Sequence, residues 1–212
     1  MPLFKTIIPK KNIQIYIWEI TESLDELNTL FLSENSLNRL NGMRSELAKR
    51  GFLSIRHLLK EAGYTDDDLY YTDNGKPHLK DGRYISITHS FIFSGIIISD
   101  DMQVGIDIEK QRDKILRIAH KFTTPEDYNH LAIEHDLVRK LTIVWGAKES
   151  LYKIYEQEGL SFLRHIYVED FNFDDTQTTA IITFKRKRSL YTVHFLEFEG
   201  FTCVYALDEP SK

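Results

Sequence analysis

The segment Val104-Gly105-Ile106-Asp107-Ile108-Glu109 alternates aliphatic and non-aliphatic residues. In a strand, alternate side chains share a face. Val104, Ile106 and Ile108 then fall on one face, and Gly105, Asp107 and Glu109 on the other. Two convergent carboxylates repel unless a cation or a basic group lies between them. Oxygen-only donors suit Mg²⁺, which takes one or two carboxylates and completes its shell with water and phosphate. A sheet with one solvated acidic face explains this segment equally well by itself.

A second chemical segment is Trp145-Gly146-Ala147-Lys148-Glu149-Ser150-Leu151-Tyr152-Lys153. At helical spacing Leu137, Leu141, Val144, Leu151 and Tyr155 make one apolar stripe. Lys148 falls inside that stripe, where a solvated lysine does not belong. Glu149 and Lys153 are four apart and therefore neighbours on the helix flank. Alone they read as a surface ion pair, and the misplaced Lys148 argues that the helix borders a polar site. A third segment joins the turn Gly75-Lys76-Pro77 to Ser86-Ile87-Thr88-His89-Ser90. A lysine, hydroxyls and an imidazole supply donors for phosphate oxygens. Lys49, Arg50 and Arg56, on a helix before that turn, could clamp a phosphate; taken singly they are surface charges.

In this order, the segments resemble the 4′-phosphopantetheinyl transferase superfamily. Its pattern is a GKP turn leading to a Ser/Thr-His-Ser strand end, a G-[IV]-D-x-E strand, and W-x-x-K-E-x-x-x-K on a later helix. Gly75-Lys76-Pro77 with Thr88-His89-Ser90, Gly105 to Glu109, and Trp145, Lys148, Glu149 and Lys153 match it, from about Arg50 to Lys153. The length resembles the surfactin-synthetase-activating type, a monomeric pseudo-dimer with one site between two similar lobes.

The resemblance implies transfer of the phosphopantetheine arm of coenzyme A to a serine of an apo acyl or peptidyl carrier protein, releasing 3′,5′-ADP. This is the holo-acyl-carrier-protein synthase type of reaction. Asp107, Glu109 and Glu149 are implied as Mg²⁺ ligands, with Glu149 as general base, and Asp107, Glu149 and Lys153 as the catalytic set. Lys76, Thr88 and His89 are implied at the coenzyme's phosphates, His89 at the 3′-phosphate, with Arg50 and Arg56 as helpers. Lys148 and Lys153 are implied to offset phosphate charge. Gly146 departs from the pattern, since many relatives carry serine, threonine or cysteine there. A non-catalytic coenzyme A or nucleotide-binding protein on the same fold is the alternative.

The elements that position these residues follow from pattern. Ile13 to Ile20 alternates as a strand. Ser23 caps a helix with apolar Leu24, Leu27, Leu30 and Phe31. A helix over Arg44 to Ala62 stops at Gly63, and Asp73 to Pro77 is a turn. Strands are predicted at Tyr84–Thr88, Ser94–Ser99 and Val104–Glu109. Helices are predicted from Ile115, from Thr124-Pro125-Glu126-Asp127 and over His135 to Tyr155, and then strands over Ile166 to Leu207. Helices mixed with antiparallel strands predict an α+β protein. The lobes are 1–103 and 104–212, with the cleft near Asp101 to Gly105.

The 212 residues carry a formal net charge of −5, which favours neither nucleic acid nor an anionic membrane. Cys203 is the one cysteine, so internal disulfides and thiolate metal cages are excluded. No stretch suits a signal peptide or a membrane span, and the expected location is cytoplasmic. The run Lys185-Arg186-Lys187-Arg188 reads as a solvated hairpin tip between strands Ala180–Phe184 and Leu190–Leu196, with docking of an acidic carrier protein as another use. His130 and His135 lack helical spacing for a shared metal. Ser86, His89 and Asp107 lack the nucleophile elbow of a hydrolase.

Overall fold

Alternating aliphatic residues build the two larger antiparallel sheets, each covered by one long helix. The computed structural model describes residues 3–124, 128, 131, 133–155 and 157–208. The chain divides into two units, Met1–Asp101 and Met102–Lys212.

In the first unit β1 (Leu3–Lys10) and β2 (Ile13–Glu19) form a hairpin. Helices α1 (Leu24–Leu27), α2 (Glu34–Gly42) and α3 (Glu46–Glu61) follow. Then come β3 (Leu69–Tyr71), β4 (Pro77–Leu79), β5 (Tyr84–Ser90) and β6 (Phe93–Ser99). The main sheet runs β1-β2-β6-β5, and β3 pairs only with β4. Ile13, Ile15 and Ile17 of β2 are fully buried. Ser45 caps α3 by accepting from the Ala48 amide. Phe52, Leu53, Ile55, Leu58 and Leu59 of α3 join a core cluster with Ile96 and Ile98 of β6. The helix predicted from Ser23 is shorter than its apolar spacing suggested. Ser23 and Glu26 form a capping box, but Asn28 ends the helix after Leu27, and Phe31 is 85% exposed.

In the second unit β7 (Val104–Lys110) leads to α4 (Lys114–Ile118), α5 (Glu134–Tyr155) and α6 (Phe162–His165). Strands β8 (Ile166–Val168), β9 (Gln177–Phe184), β10 (Lys187–Phe198) and β11 (Phe201–Leu207) complete it. The sheet order is β7-β11-β10-β9-β8, antiparallel throughout. Val204 and Ala206 of β11, Val193 and Phe195 of β10, and Val144, Ala147 and Leu151 of α5 share one core. Cys203 is buried. The helix expected at Thr124–Asp127 and the residue His130 fall largely or wholly outside the described residues.

Two glycines set how closely α5 lies on the sheet. A Cβ on Gly105 of β7 would stand 2.0 Å from the Ser150 carbonyl oxygen of α5. A Cβ on Gly146 of α5 would stand 2.7 Å from Cγ2 of Val204 on β11. Helix and β7 therefore meet backbone to backbone, and at β11 the helix backbone meets the Val204 side chain. Ser150 Oγ reinforces the contact by donating to the Val204 carbonyl at 3.1 Å.

Candidate active site on the seam of β7 and α5

The register β7–β11 places Asp107 opposite Val204 and Gly105 opposite Ala206. Val204 and Ala206 face α5, so Gly105, Asp107 and Glu109 face α5 too. The acidic face is thus not a solvated one. Asp107 is 6% exposed. Its Oδ2 lies 3.7 Å from where a Cβ on Gly146 would be. The glycine that departs from the family pattern has its account here, because Val204 already fills the space a side chain would need.

Lys153, two turns after Gly146 on the helix, reaches back to the same strand. Its ammonium donates to Asp107 Oδ1 at 3.0 Å and to the Ile106 carbonyl at 2.7 Å. Glu149 sits one turn before Lys153 and is partly buried. Burial first, then the negative charges of Asp107 and Glu109, push its carboxyl up to about 7, against the pull of Lys153. A carboxyl poised near neutrality can exchange a proton at physiological pH. The structure thus brings Asp107, Glu109, Glu149 and Lys153 within electrostatic reach of one another.

Lys148 has a different environment from the one its sequence position suggested. Its ammonium donates to the carbonyls of Phe122 (2.5 Å), Phe162 (2.9 Å) and Ile166 (2.6 Å). All three of its protons are spent on backbone, and burial lowers it to about 8. A lysine inside an apolar stripe is here a tie between α5, α6 and the segment after α4. Trp145 packs against the same tie, edge-on to Phe122 with centroids 5.1 Å apart and tilted to Phe162 at 5.5 Å. Beside Trp145 and Glu109 lies a groove of about 170 Å³ lined also by Lys110, Arg112 and Lys114. Sequence reasoning passed over these three cations, although their spacing of two along a strand exit was visible.

In the first unit, Thr88 is buried and His89 exposed on β5. A Cβ on Gly51 of α3 would stand 2.8 Å from His89 Cδ2, so Gly51 seats the imidazole. Arg50, next in the helix, donates to the Ile20 carbonyl at 2.9 Å. Lys76 follows a tight turn in which its amide donates to Thr72 Oγ1 at 3.3 Å. Arg56 is the exception among the expected phosphate contacts. It is 4% exposed. It donates to Asp66 Oδ1 at 2.8 Å, to Ser36 Oγ at 3.2 Å and to the Phe52 carbonyl at 3.2 Å. Its charge is matched inside the first unit, which argues for a structural role. Gly51 was missed in the sequence, although a glycine within a helix interior costs about 1 kcal/mol and so asks for a reason.

Residues 103–206 match the sequence model of the 4′-phosphopantetheinyl transferase superfamily. The matched stretch spans most of the second unit. No curated protein matches the chain. The matched stretch contains Asp107, Glu109, Glu149 and Lys153, and the superfamily is one of transferases that use coenzyme A. No helix among the described residues is long and apolar enough to cross a membrane.

Proposed function

We propose that this protein transfers the 4′-phosphopantetheine group of coenzyme A to a serine of an apo acyl or peptidyl carrier protein, releasing 3′,5′-ADP. The observation that carries the reading is the seam itself. A buried aspartate, a half-buried glutamate raised to about 7, and a lysine on the aspartate lie inside the stretch that matches the superfamily. Glu149, with its proton removed, accepts the proton of the incoming serine hydroxyl as the oxygen closes on the β-phosphorus. Lys153 stands beside Asp107 to offset charge on the phosphates as the bond to 3′,5′-ADP breaks.

The donor set fits a hard divalent cation. Asp107, Glu109 and Glu149 offer oxygen only, and their mutual repulsion is what a cation would relieve. Among the described residues no three such side chains are gathered into a metal cage. Mg²⁺ suits this partial set, because it takes much of its shell from substrate phosphate and water. When bound there it would neutralise pyrophosphate charge. Lys76, Thr88 and His89, with Arg50 beside Gly51, are proposed to bind the coenzyme's phosphates. Lys148 and Arg56 are proposed as structural residues. We take the active species to be a cytoplasmic monomer.

Glu149→Gln tests the reading. It keeps shape and removes the base. Transfer is expected to fall by at least ~100-fold, the range typical of a general base, with the circular-dichroism spectrum unchanged. Retained transfer would remove Glu149 from the mechanism.

A further inference from the structure

The row of side chains beside Asp107 holds a polar network that the transfer reading leaves unused. Asp107 of β7, Val204 of β11 and Phe195 of β10 stand level across three strands. Two residues along, Glu109, Thr202 and Glu197 make the next row. Alternation puts that row on the same face, the one that α5 covers. Glu109 does line a groove with Thr142 and Trp145 of α5. Thr202 stands between the two carboxylates and is the buried member of the row, 1% exposed. Burying a hydroxyl costs free energy unless its hydrogen bonds are made, so its partners are informative.

Gln111, just past the end of β7, is held by its backbone amide, which donates to the Gly200 carbonyl at 2.9 Å. Its side-chain Nε2 donates to Thr202 Oγ1 at 3.0 Å and also to Glu197 Oε1. Glu197 is further matched by Arg139 of α5, which donates from Nε to Oε1 at 3.1 Å and from Nη2 to Oε2 at 2.5 Å. The Arg139 guanidinium is itself seated over the Phe173 ring, 4.5 Å from its centroid. These contacts assign directions. Thr202 Oγ1 accepts from Gln111 and so keeps its own proton to give. Of the two flanking carboxylates, Glu197 already takes the arginine fork and the Gln111 amide. Glu109 is the other, directly across the β7–β11 pair, where Cβ atoms stand about 4.5–5.5 Å apart.

We propose that Thr202 is a positioning residue. Its hydroxyl donates to Glu109 and sets the rotamer in which that carboxylate faces a cation shared with Asp107 and Glu149. Gln111, Glu197 and Arg139 hold the hydroxyl in that direction. The inference rests on the transfer reading and its cation site. Carboxylates that ligate a metal are themselves oriented by hydrogen bonds from outside the ligand set, and losing such a partner weakens the metal. Arg139 also cancels the charge of Glu197, so the network adds no further repulsion to the acidic seam. Thr202 touches neither the substrate nor the cation, and acts only through Glu109.

The test uses the full chain with Mn²⁺ as the probe and coenzyme A present. Bound metal is read as loss of the free-ion electron paramagnetic resonance signal, against a blank of coenzyme A and Mn²⁺ alone. Thr202→Val keeps the side chain's shape and removes the hydroxyl. Mn²⁺ affinity should fall by about 10-fold or more. Thr202→Ser should restore it. Gln111→Leu, at a partly exposed position, should weaken Mn²⁺ in the same direction and decides the question if Thr202→Val does not fold. With a carrier protein that the wild type modifies, the apparent KM for Mg²⁺ should rise while kcat at saturating Mg²⁺ holds. A loss of stability with Mn²⁺ affinity unchanged overturns the proposal, because it leaves Thr202 a purely structural residue. So does a wild type that binds Mn²⁺ no better than the blank. If the wild type modifies a carrier and the folded variants keep its Mn²⁺ affinity, the positioning role fails and transfer stands. If the variants weaken Mn²⁺ and the wild type modifies no carrier, transfer fails and the positioning role stands.

Discussion

At Glu149 burial and the neighbouring carboxylates of Asp107 and Glu109 act in the same direction, against Lys153. The folded pKa of Glu149, about 7, lies above the ordinary 4.5. A raised carboxyl contributes stability that is present below 4.5 and lost as pH rises through about 7. In EDTA the wild type should therefore lose stability between those values, and Glu149→Gln should not. At pH 8 the variant should be the more stable by about 1–2 kcal/mol, allowing for solvent screening of a partly exposed group. Chemical denaturation across pH checks this. A wild type with no slope in that window would show that Glu149 keeps an ordinary carboxyl. Lys148 gives the second residue-scale test. Lys148→Met leaves the carbonyls of Phe122, Phe162 and Ile166 without their donor, and unfolding should come about 2–4 kcal/mol easier. Lost turnover at wild-type stability would instead place Lys148 at the phosphates.

At the scale of elements, the account depends on how closely α5 lies on β7 and β11. Gly105→Ala sets a methyl against the Ser150 carbonyl at 2.0 Å. Backbone cannot rotate away, so the strand and helix must part. A loss of about 3 kcal/mol or more is expected, at the top of the range for overpacking, with transfer lost as Asp107 moves from Lys153. Gly146→Ala meets a side chain instead, Cγ2 of Val204 at 2.7 Å. It should cost about 1–2 kcal/mol, and Val204→Ala in the same chain should recover most of that. A double-mutant cycle in denaturant measures the coupling, and simple additivity would contradict the packing described.

The sequence was most informative where a pattern had a single physical meaning. The alternation in Val104–Glu109 made the strand and its two faces legible, and the helix over Glu134–Tyr155 followed from its stripe. It was silent on which face met α5, because that depends on the β7–β11 register, a long-range pairing. The same limit explains Arg56. A lone arginine on a helix looks like a phosphate clamp until Asp66, distant along the sequence by ten residues, is folded onto it. The strands β3 and β4 are too short to leave a period. The early end of α1 was written in Asn28, which the apolar spacing outweighed.

At the scale of the whole molecule the proposed roles divide between the two units. Lys76, Thr88 and His89 lie in the first unit, and Asp107, Glu109, Glu149 and Lys153 in the second. Substitutions in the two units should then have different kinetic signatures. His89→Ala should raise KM for coenzyme A by about 10-fold, the loss of roughly 1.4 kcal/mol of charge-assisted hydrogen bonding, with kcat little changed. Glu149→Gln should act on kcat. Steady-state kinetics with varied coenzyme A separates them, and a kcat loss for His89→Ala would contradict the division.

The central claim is transfer, and intact-protein mass spectrometry tests it most directly. An apo acyl or peptidyl carrier protein is incubated with this protein, coenzyme A and Mg²⁺, with and without EDTA. The account predicts a gain of one phosphopantetheine on the carrier, lost with EDTA and lost in Glu149→Gln. Coenzyme A binding with no gain on any of several carrier classes would contradict it, and would favour a protein that binds the coenzyme without turning it over.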